Sequence, residues 1–145
     1  MNFKEYISQT FELDKQILNL QEKIATLRAA QDAPSATYGG LGVKTSLNTT
    51  KLEDLTLKIL ENEEKLITLK SHNFEIEKHI RQASLHLPPM QKAIITWRYI
   101  CRYMWKDIAK KAQMSEMQIM REHNAALKTM SEIYETKAPL VHNMT

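Results

Sequence analysis

With one cysteine, three glycines and four prolines in 145 residues, this chain has few of the devices that small proteins use to supplement a core. A lone Cys101 can form neither an internal disulfide nor a cysteine-based zinc site, a pattern that suits a reducing, intracellular compartment. Flanked by Ile100 and Arg102, it reads as an ordinary helix residue. No apolar run approaches the roughly 20 residues that cross a bilayer, and the N-terminus lacks the basic and apolar regions of a signal peptide. The expectation is a cytoplasmic protein without a membrane partner. Catalytic motifs are missing too: there is no Gly-rich phosphate loop, Ser-His-Asp arrangement or convincing carboxylate pair. The chain is therefore not expected to be an enzyme or to hold a cofactor. His72, His79 and His86 recur every seven residues. On a helix they stand about 10.5 Å apart along the axis, too far to share one metal ion at bond lengths near 2 Å. They are expected to face solvent or a partner, and no metal site is expected.

The few helix breakers are gathered at seams. All three glycines (Gly39, Gly40, Gly42) fall in one segment, and the prolines are Pro34, Pro88, Pro89 and Pro139. Residues 1–31 and 51–87 contain neither type, which predicts long uninterrupted helices and an all-α fold. The first stretch has a heptad. Phe3, Thr10, Ile17 and Ile24 form one row, and Tyr6, Leu13, Leu20 and Leu27 the other. Spacings that alternate three and four mark a coiled-coil seam. The second stretch repeats the device, with Leu52, Ile59, Leu66, Asn73, Ile80 and Leu87 against Leu55, Asn62, Leu69, Ile76 and Ala83. Thr50 with Glu53 offers a capping box at its start. Asn62 and Asn73 interrupt the seam; either they fix register and partner number, or they lie at its edge. The connector at 32–50 is long enough to let the helices fold back antiparallel within one chain, and it does not exclude pairing across a dimer. Within it Thr37, Tyr38, Lys44, Thr45 and Ser46 are candidate contact residues. The expected organisation is a helical hairpin or coiled coil over 1–87, a second domain over 88–138 and a tail at 139–145.

Residues 88–138 have the internal pattern of a DNA reader. Apolar Ile108, Ala109, Ala112 and Met114 form one short stripe, and Ile119 begins a second after a break. That arrangement crosses two helices steeply, with small Ala109 and Ala112 at their approach. Ser115 at the N-cap and Gln118 three residues on make a capping box, and Met114 with Ile119 makes a hydrophobic staple. The second helix is expected from Glu116 to about Lys137, with Leu127, Met130, Ile133 and Tyr134 extending its buried face. His123 reads as a packed or capping histidine. Charge supports the same reading. Basic and acidic residues number five and five in 1–50, six and seven in 51–87, and nine and five in 88–145. Arg98, Arg102, Lys106, Lys110 and Lys111 cluster against the single acid Asp107, as attraction to phosphate requires.

A family resemblance follows from these residues. Met90 to Ile100, containing Arg98-Tyr99, then Trp105, Asp107, Ile108-Ala109, Ser115 and Ala126-Leu127, is similar to the C-terminal promoter-reading domain (region 4) of bacterial sigma factors. A coiled-coil region placed before such a domain resembles the small phage and mobile-element transcriptional activators of the ArpU and RinA type. The resemblance implies a sigma region 4-like helix-turn-helix and regulation of transcription, often of late phage genes. Three positions depart from the pattern. Gln113 stands at a turn position that is usually glycine, His123 replaces an apolar residue, and Arg102-Tyr103-Met104 replaces a short polar or Gly-containing turn.

Helix geometry then names the candidate contacts. With Ile119, Ala126 and Leu127 facing inward, the outward face holds Glu116, Met117, Met120, Arg121 and Asn124. Arg121 suits guanine, Asn124 suits adenine, and the methionines suit thymine methyls or sugars. Arg102, Lys106, Lys110, Lys111, Ser115 and Lys128 are the candidates for the DNA backbone. The expected partner is double-stranded DNA. The coiled coil either makes a homodimer or contacts RNA polymerase. The reading that results is a DNA-binding transcriptional activator of phage or mobile-element genes. Two alternatives stay open: a DNA-packaging or replication accessory protein resembling a small terminase subunit, and a coiled-coil protein-interaction module that does not bind DNA.

Overall fold

Helix α1 (Phe3–Asp32) begins with a reciprocal cap. The Glu5 amide donates to Asn2 Oδ1 at 2.8 Å, and the Asn2 amide donates to Glu5 Oε2 at 3.3 Å. Two amides that the first turn would leave open are thereby satisfied. The chain continues as α2 (Gly42–Ser84), α3 (Pro89–Ile95), a π-helical turn (Thr96–Ile100), α4 (Trp105–Ala112) and α5 (Glu116–Asn143). This computed structural model describes residues 1–33 and 42–143, with side chains described for 1–33 and 50–136. The protein is all-helical, and no strand occurs among the described residues. Among the same residues, no helix is long and apolar enough to cross a membrane.

Two helix ends differ from expectation. Helix α2 starts at Gly42, not near Thr50, because nothing after the last glycine breaks the helix. The expected contacts of Thr37, Tyr38, Lys44, Thr45 and Ser46 lie outside the described side chains. Helix α5 runs through Pro139 to Asn143, so the segment expected as a tail is helical as far as it is described. The start of α3 follows a simple rule: Pro89 sits in the first turn, where its missing N–H costs no hydrogen bond.

The chain forms two compact units, and the seam between them is not at residue 87. One unit comprises Met1–Glu12 with His72–Thr145, and the other is Leu13–Ser71.

In the Leu13–Ser71 unit, α1 and α2 run antiparallel. Arg28 pairs with Glu63, and Gln31 Nε2 donates to Thr56 Oγ1 at 2.9 Å, so partners descend α2 as α1 ascends. Leu13, Ile24 and Ile59 are buried, while Ile17, Leu20, Leu27, Leu55, Leu66 and Leu69 are half-buried. Asn62 is buried in the seam, as its heptad place predicts. Its amide donates to the Lys58 carbonyl of its own helix at 2.7 Å, which answers its polarity without a partner across the seam.

The other unit gathers the first turns of α1 with the end of α2 and all of α3 to α5. Phe3 and Ile7 are fully buried, as are Ile76 and Ile80 of α2. The Phe3 ring lies 4.8 Å from Tyr134 of α5, and Tyr6 stacks on Tyr134 at 5.5 Å. The Tyr6 hydroxyl is 2.6 Å from His79 Nδ1, so His79 differs from the solvated histidine expected, whereas His72 and His86 are exposed. Burial, with Tyr134 and Glu75 nearby, pushes the Tyr6 phenol up to about 12.

Candidate nucleic-acid interface

Helices α4 and α5 stand on a small aliphatic core. Ile94 of α3, Ile108 and Ala109 of α4, and Ile119 of α5 are buried together, with Trp97, Trp105, Ala112 and Met114 packed around them. Each fully buried isoleucine is worth roughly 2 kcal/mol in apolar transfer. Small Ala109 is buried in this core and Ala112 packs against it. Asp107 in the first turn of α4 and Lys110 and Lys111 in its last turn each complement the helix dipole.

The turn between the helices is made without glycine. Gln113 adopts φ 56° and ψ 43°, the left-handed region. Its conformation lets the Met114 amide donate to the Ala109 carbonyl at 3.1 Å and the Gln113 amide to Lys110 at 3.3 Å. A side chain in that region costs about 1 kcal/mol or more. Helix α5 then starts as its sequence predicts. The Gln118 amide donates to Ser115 Oγ at 3.1 Å, and the Ser115 amide donates to Gln118 Oε1 at 3.1 Å. Ile119 is fully buried, and Met114, before the cap, packs on the same core.

Farther along α5, His123 is 1% exposed. Its Nε2 shares a 2.7 Å hydrogen bond with the Tyr99 hydroxyl, its ring stacks on Tyr99, and the edge of Trp105 meets it at 4.6 Å. Burial pushes its pKa down to about 4, Lys4 and Arg98 add to the effect, and its Nδ1 is buried with no hydrogen-bond partner. Burial also pushes the Tyr99 phenol up to about 12, despite Arg98 and a hydrogen bond to Ser8. The expectation of a packed histidine holds, and the packing ties the middle of α5 to the π-helical turn.

These anchors leave a polar face outward. Glu116, Arg121 and Asn124 are exposed, Met117 is 67% exposed, and Met120 is half-buried. The Arg121 guanidinium rests 3.6 Å from Met117 Sδ. Lys106, Lys110, Lys111 and Lys128 are exposed, and Lys111 Nζ lies 4.9 Å from the centre of the Tyr103 ring. Ser115 is exposed at the N-terminus of α5, but its hydroxyl is engaged with Gln118 in the cap.

Two arginines of the basic cluster go elsewhere. Arg102 was expected on DNA phosphate. Instead its side chain is 14% exposed, pairs with Glu77 at 3.0 Å, and donates to the carbonyls of Tyr99 (2.9 Å) and Ile100. The cause is local. With no glycine at 102–104, Arg102 itself takes φ 62°, and its guanidinium folds back onto carbonyls that the π-helical turn leaves open. Arg98 is sandwiched between Phe11 and Trp105, 4.5 Å from each ring centre, and donates to the Tyr103 carbonyl at 3.0 Å. Sequence reasoning also missed Phe11, which holds Arg98 from α1. A signal was present, since Phe3, Tyr6 and Phe11 put three of the chain's eight Phe and Tyr residues in its first 11 positions.

The fold and this face define an all-helical protein in which a capped helix presents polar side chains beside exposed lysines. The model of the family described as "Protein of unknown function (DUF722)" matches residues 5–132, and the chain belongs to that family. No curated protein and no solved structure matches it.

Proposed function

We propose that the chain is a sequence-specific DNA-binding transcriptional regulator, with α4, the Gln113 turn and α5 acting as a helix-turn-helix. In this reading α3 to α5 form a sigma region 4-like head, and α1 and α2 form an antiparallel coiled-coil hairpin. The observation that supports it best is the start of α5. Its reciprocal cap and buried Ile119 fix a helix N-terminus whose outer face exposes Met117, Arg121 and Asn124 beside Lys106, Lys110 and Lys111. An N-terminus so disposed suits the major groove, because its first turns reach base edges while flanking cations neutralise phosphates. The similarity to sigma factors and to phage activators of the ArpU and RinA type favours activation of phage or mobile-element genes.

The chemistry assigns roles within this reading. Arg121 donates two hydrogen bonds to guanine, and Asn124 pairs with adenine. Lys106, Lys110, Lys111 and Lys128 meet phosphates, and Arg102 and Arg98 serve the protein's own core. Binding selection from random duplexes, with wild type and Arg121→Ala, tests the assignment. Wild type should enrich a motif, and the variant should lose discrimination at one position, worth about 1–3 kcal/mol. Lys110→Ala and Lys111→Ala should weaken all sequences alike and reduce the salt slope by about one each. Absence of binding at low salt, or enrichment unaltered by Arg121→Ala, refutes the proposal.

A further inference from the structure

The junction between α2 and α3 leaves an apolar cleft open. Helix α2 ends at Ser84, and the Leu87 amide donates to the Ser84 carbonyl at 3.1 Å, a turn that buries Leu87. Pro88 is extended, and Pro89 starts α3. A proline pair cannot continue α2, so the chain begins a new helix. One face of α3 packs inward: Ile94 and Ile95 are fully buried, and Gln91 donates to Glu122 of α5. Along another face Pro89, Ala93 and Trp97 follow one another four apart, with Lys92 beside them. Together with Leu85 and Leu87 they line a cleft of about 510 Å³. Small Ala93 in the middle of that row leaves room between Pro89 and Trp97. Leu85 at the rim is 57% exposed, and Trp97 is half-buried, one part of it on the Ile94 core and another on the cleft. Lys92 is exposed, and it forms no ion pair among the described residues. No carboxylate lines the cleft.

We propose that this cleft binds an acidic amphipathic segment of another protein, seating an apolar side chain between Leu85 and Trp97 and a carboxylate on Lys92. The charge of the cleft itself selects this occupant. A cation without an internal partner, in a lining that holds no anion, complements a negative group and repels a basic one. The apolar walls supply the affinity, with a tryptophan of the kind that dominates binding energy at interfaces. The volume lies within the roughly 300–1,000 Å³ of clefts that hold ligands. An apolar groove with one charge at its edge matches the way amphipathic helices are received. A duplex is a poorer fit, because attraction to phosphates takes several cations and this lining has one. None of the residues assigned above to DNA lines the cleft.

This inference does not depend on DNA binding, and its test is separate. The probe is a phage-displayed library of random helical peptides, selected on the full chain. Wild type should enrich peptides with a carboxylate three or four positions from a large apolar residue. Lys92→Glu should turn that preference towards basic peptides. A peptide selected on wild type should bind Leu85→Ala and Lys92→Glu at least about fivefold more weakly each, and should shift the Trp97 indole signal in NMR spectra. Both substituted positions are exposed, so the variants should keep their helical circular dichroism. Should the reversed charge unfold the protein, Lys92→Gln replaces it and should abolish the acidic preference. Failure to enrich any peptide overturns the proposal, as does an enrichment indifferent to the charge at 92. So does a self-association of the chain that Leu85→Ala abolishes, which gives the cleft to a second copy. A DNA-binding salt slope reduced by Lys92→Gln also overturns it, since Lys92 then serves phosphate.

Discussion

His123→Phe should remove most of the sensitivity of the head to mild acid. The imidazole is 1% exposed, and its pKa falls to about 4 in the folded chain, chiefly through burial. In the unfolded chain it titrates near 6.5. A lowered folded pKa means that protons bind the unfolded state preferentially. The stability of the neutral histidine is therefore complete above about pH 6.5 and is lost as pH falls towards 4. Between pH 7 and pH 5 the loss amounts to about 2 kcal/mol, in a window above most carboxylate titration. Phenylalanine keeps the stack on Tyr99 and the contact with Trp105, and gives up the hydrogen bond to the Tyr99 hydroxyl. The variant should be less stable at pH 7 by about 1–2 kcal/mol yet nearly flat to pH 5. Urea titration followed by tryptophan fluorescence reads this directly, because both tryptophans, Trp97 and Trp105, pack on the same core. Wild type should lose about 1 M in its midpoint between the two pH values. Equal acid sensitivity in wild type and variant would refute the reasoning.

Three further outcomes follow from the local geometry. Gln113→Gly should raise stability by about 0.5–1 kcal/mol, since glycine adopts the left-handed turn without steric cost and loses only part of that gain to chain entropy; thermal melts check it. Ser115→Ala should cost about 1 kcal/mol by opening the cap of α5, and hydrogen exchange should quicken at Gln118. Arg102→Ala should destabilise by roughly 2 kcal/mol, because two carbonyls lose their donor and Glu77 keeps only the longer pair with Arg81 at 3.9 Å. On the proposed DNA-binding reading, the same variant should leave the salt slope of that binding unchanged, a result that separates its structural position from the phosphate role its charge suggested.

The readable parts of this chain were those governed by local rules. Ser115 and Gln118 lie three apart, Met114 and Ile119 five apart, and the capped start of α5 follows from adjacent residues alone. Heptad rows likewise predicted buried Leu13, Ile24, Ile59, Ile76 and Ile80. Periodicity says which face is buried but not what buries it. The heptad places Phe3 and Tyr6 in a seam between long helices, whereas they pack on Tyr134, near the other end of the sequence. The basic cluster was misjudged for a related reason. Counting charges treats every cation as solvated, whereas Arg98 and Arg102 lie beside aromatic rings and open carbonyls that desolvate and bind a planar guanidinium. Lys106, Lys110 and Lys111 remain exposed, Lys111 with its ammonium over the Tyr103 ring.

That partition bears on how the outer face of α5 is held. Ile119, His123, Ala126, Leu127 and Met130 face inward at intervals of three and four, so the rotation of the helix about its axis is set at five points. Ile119 fixes the first turn through aliphatic packing, and His123 fixes the next through a directional bond to Tyr99. Arg98 lies 4.5 Å from the centre of the Trp105 ring, which meets His123 edge-on. An apolar residue at 123 would pack but would not specify rotation as narrowly, since dispersion is nearly indifferent to a small turn of the helix and a hydrogen bond is not. A helix that reads by the placement of a few side chains gains from such a bond. With Met120 half-buried, the exposed face proposed to read bases is Glu116, Met117, Arg121 and Asn124, with Arg121 resting on Met117. On the proposed DNA-binding reading, discrimination by so few groups depends on their being aimed, and the buried histidine would act on specificity through the rotation of α5 alone.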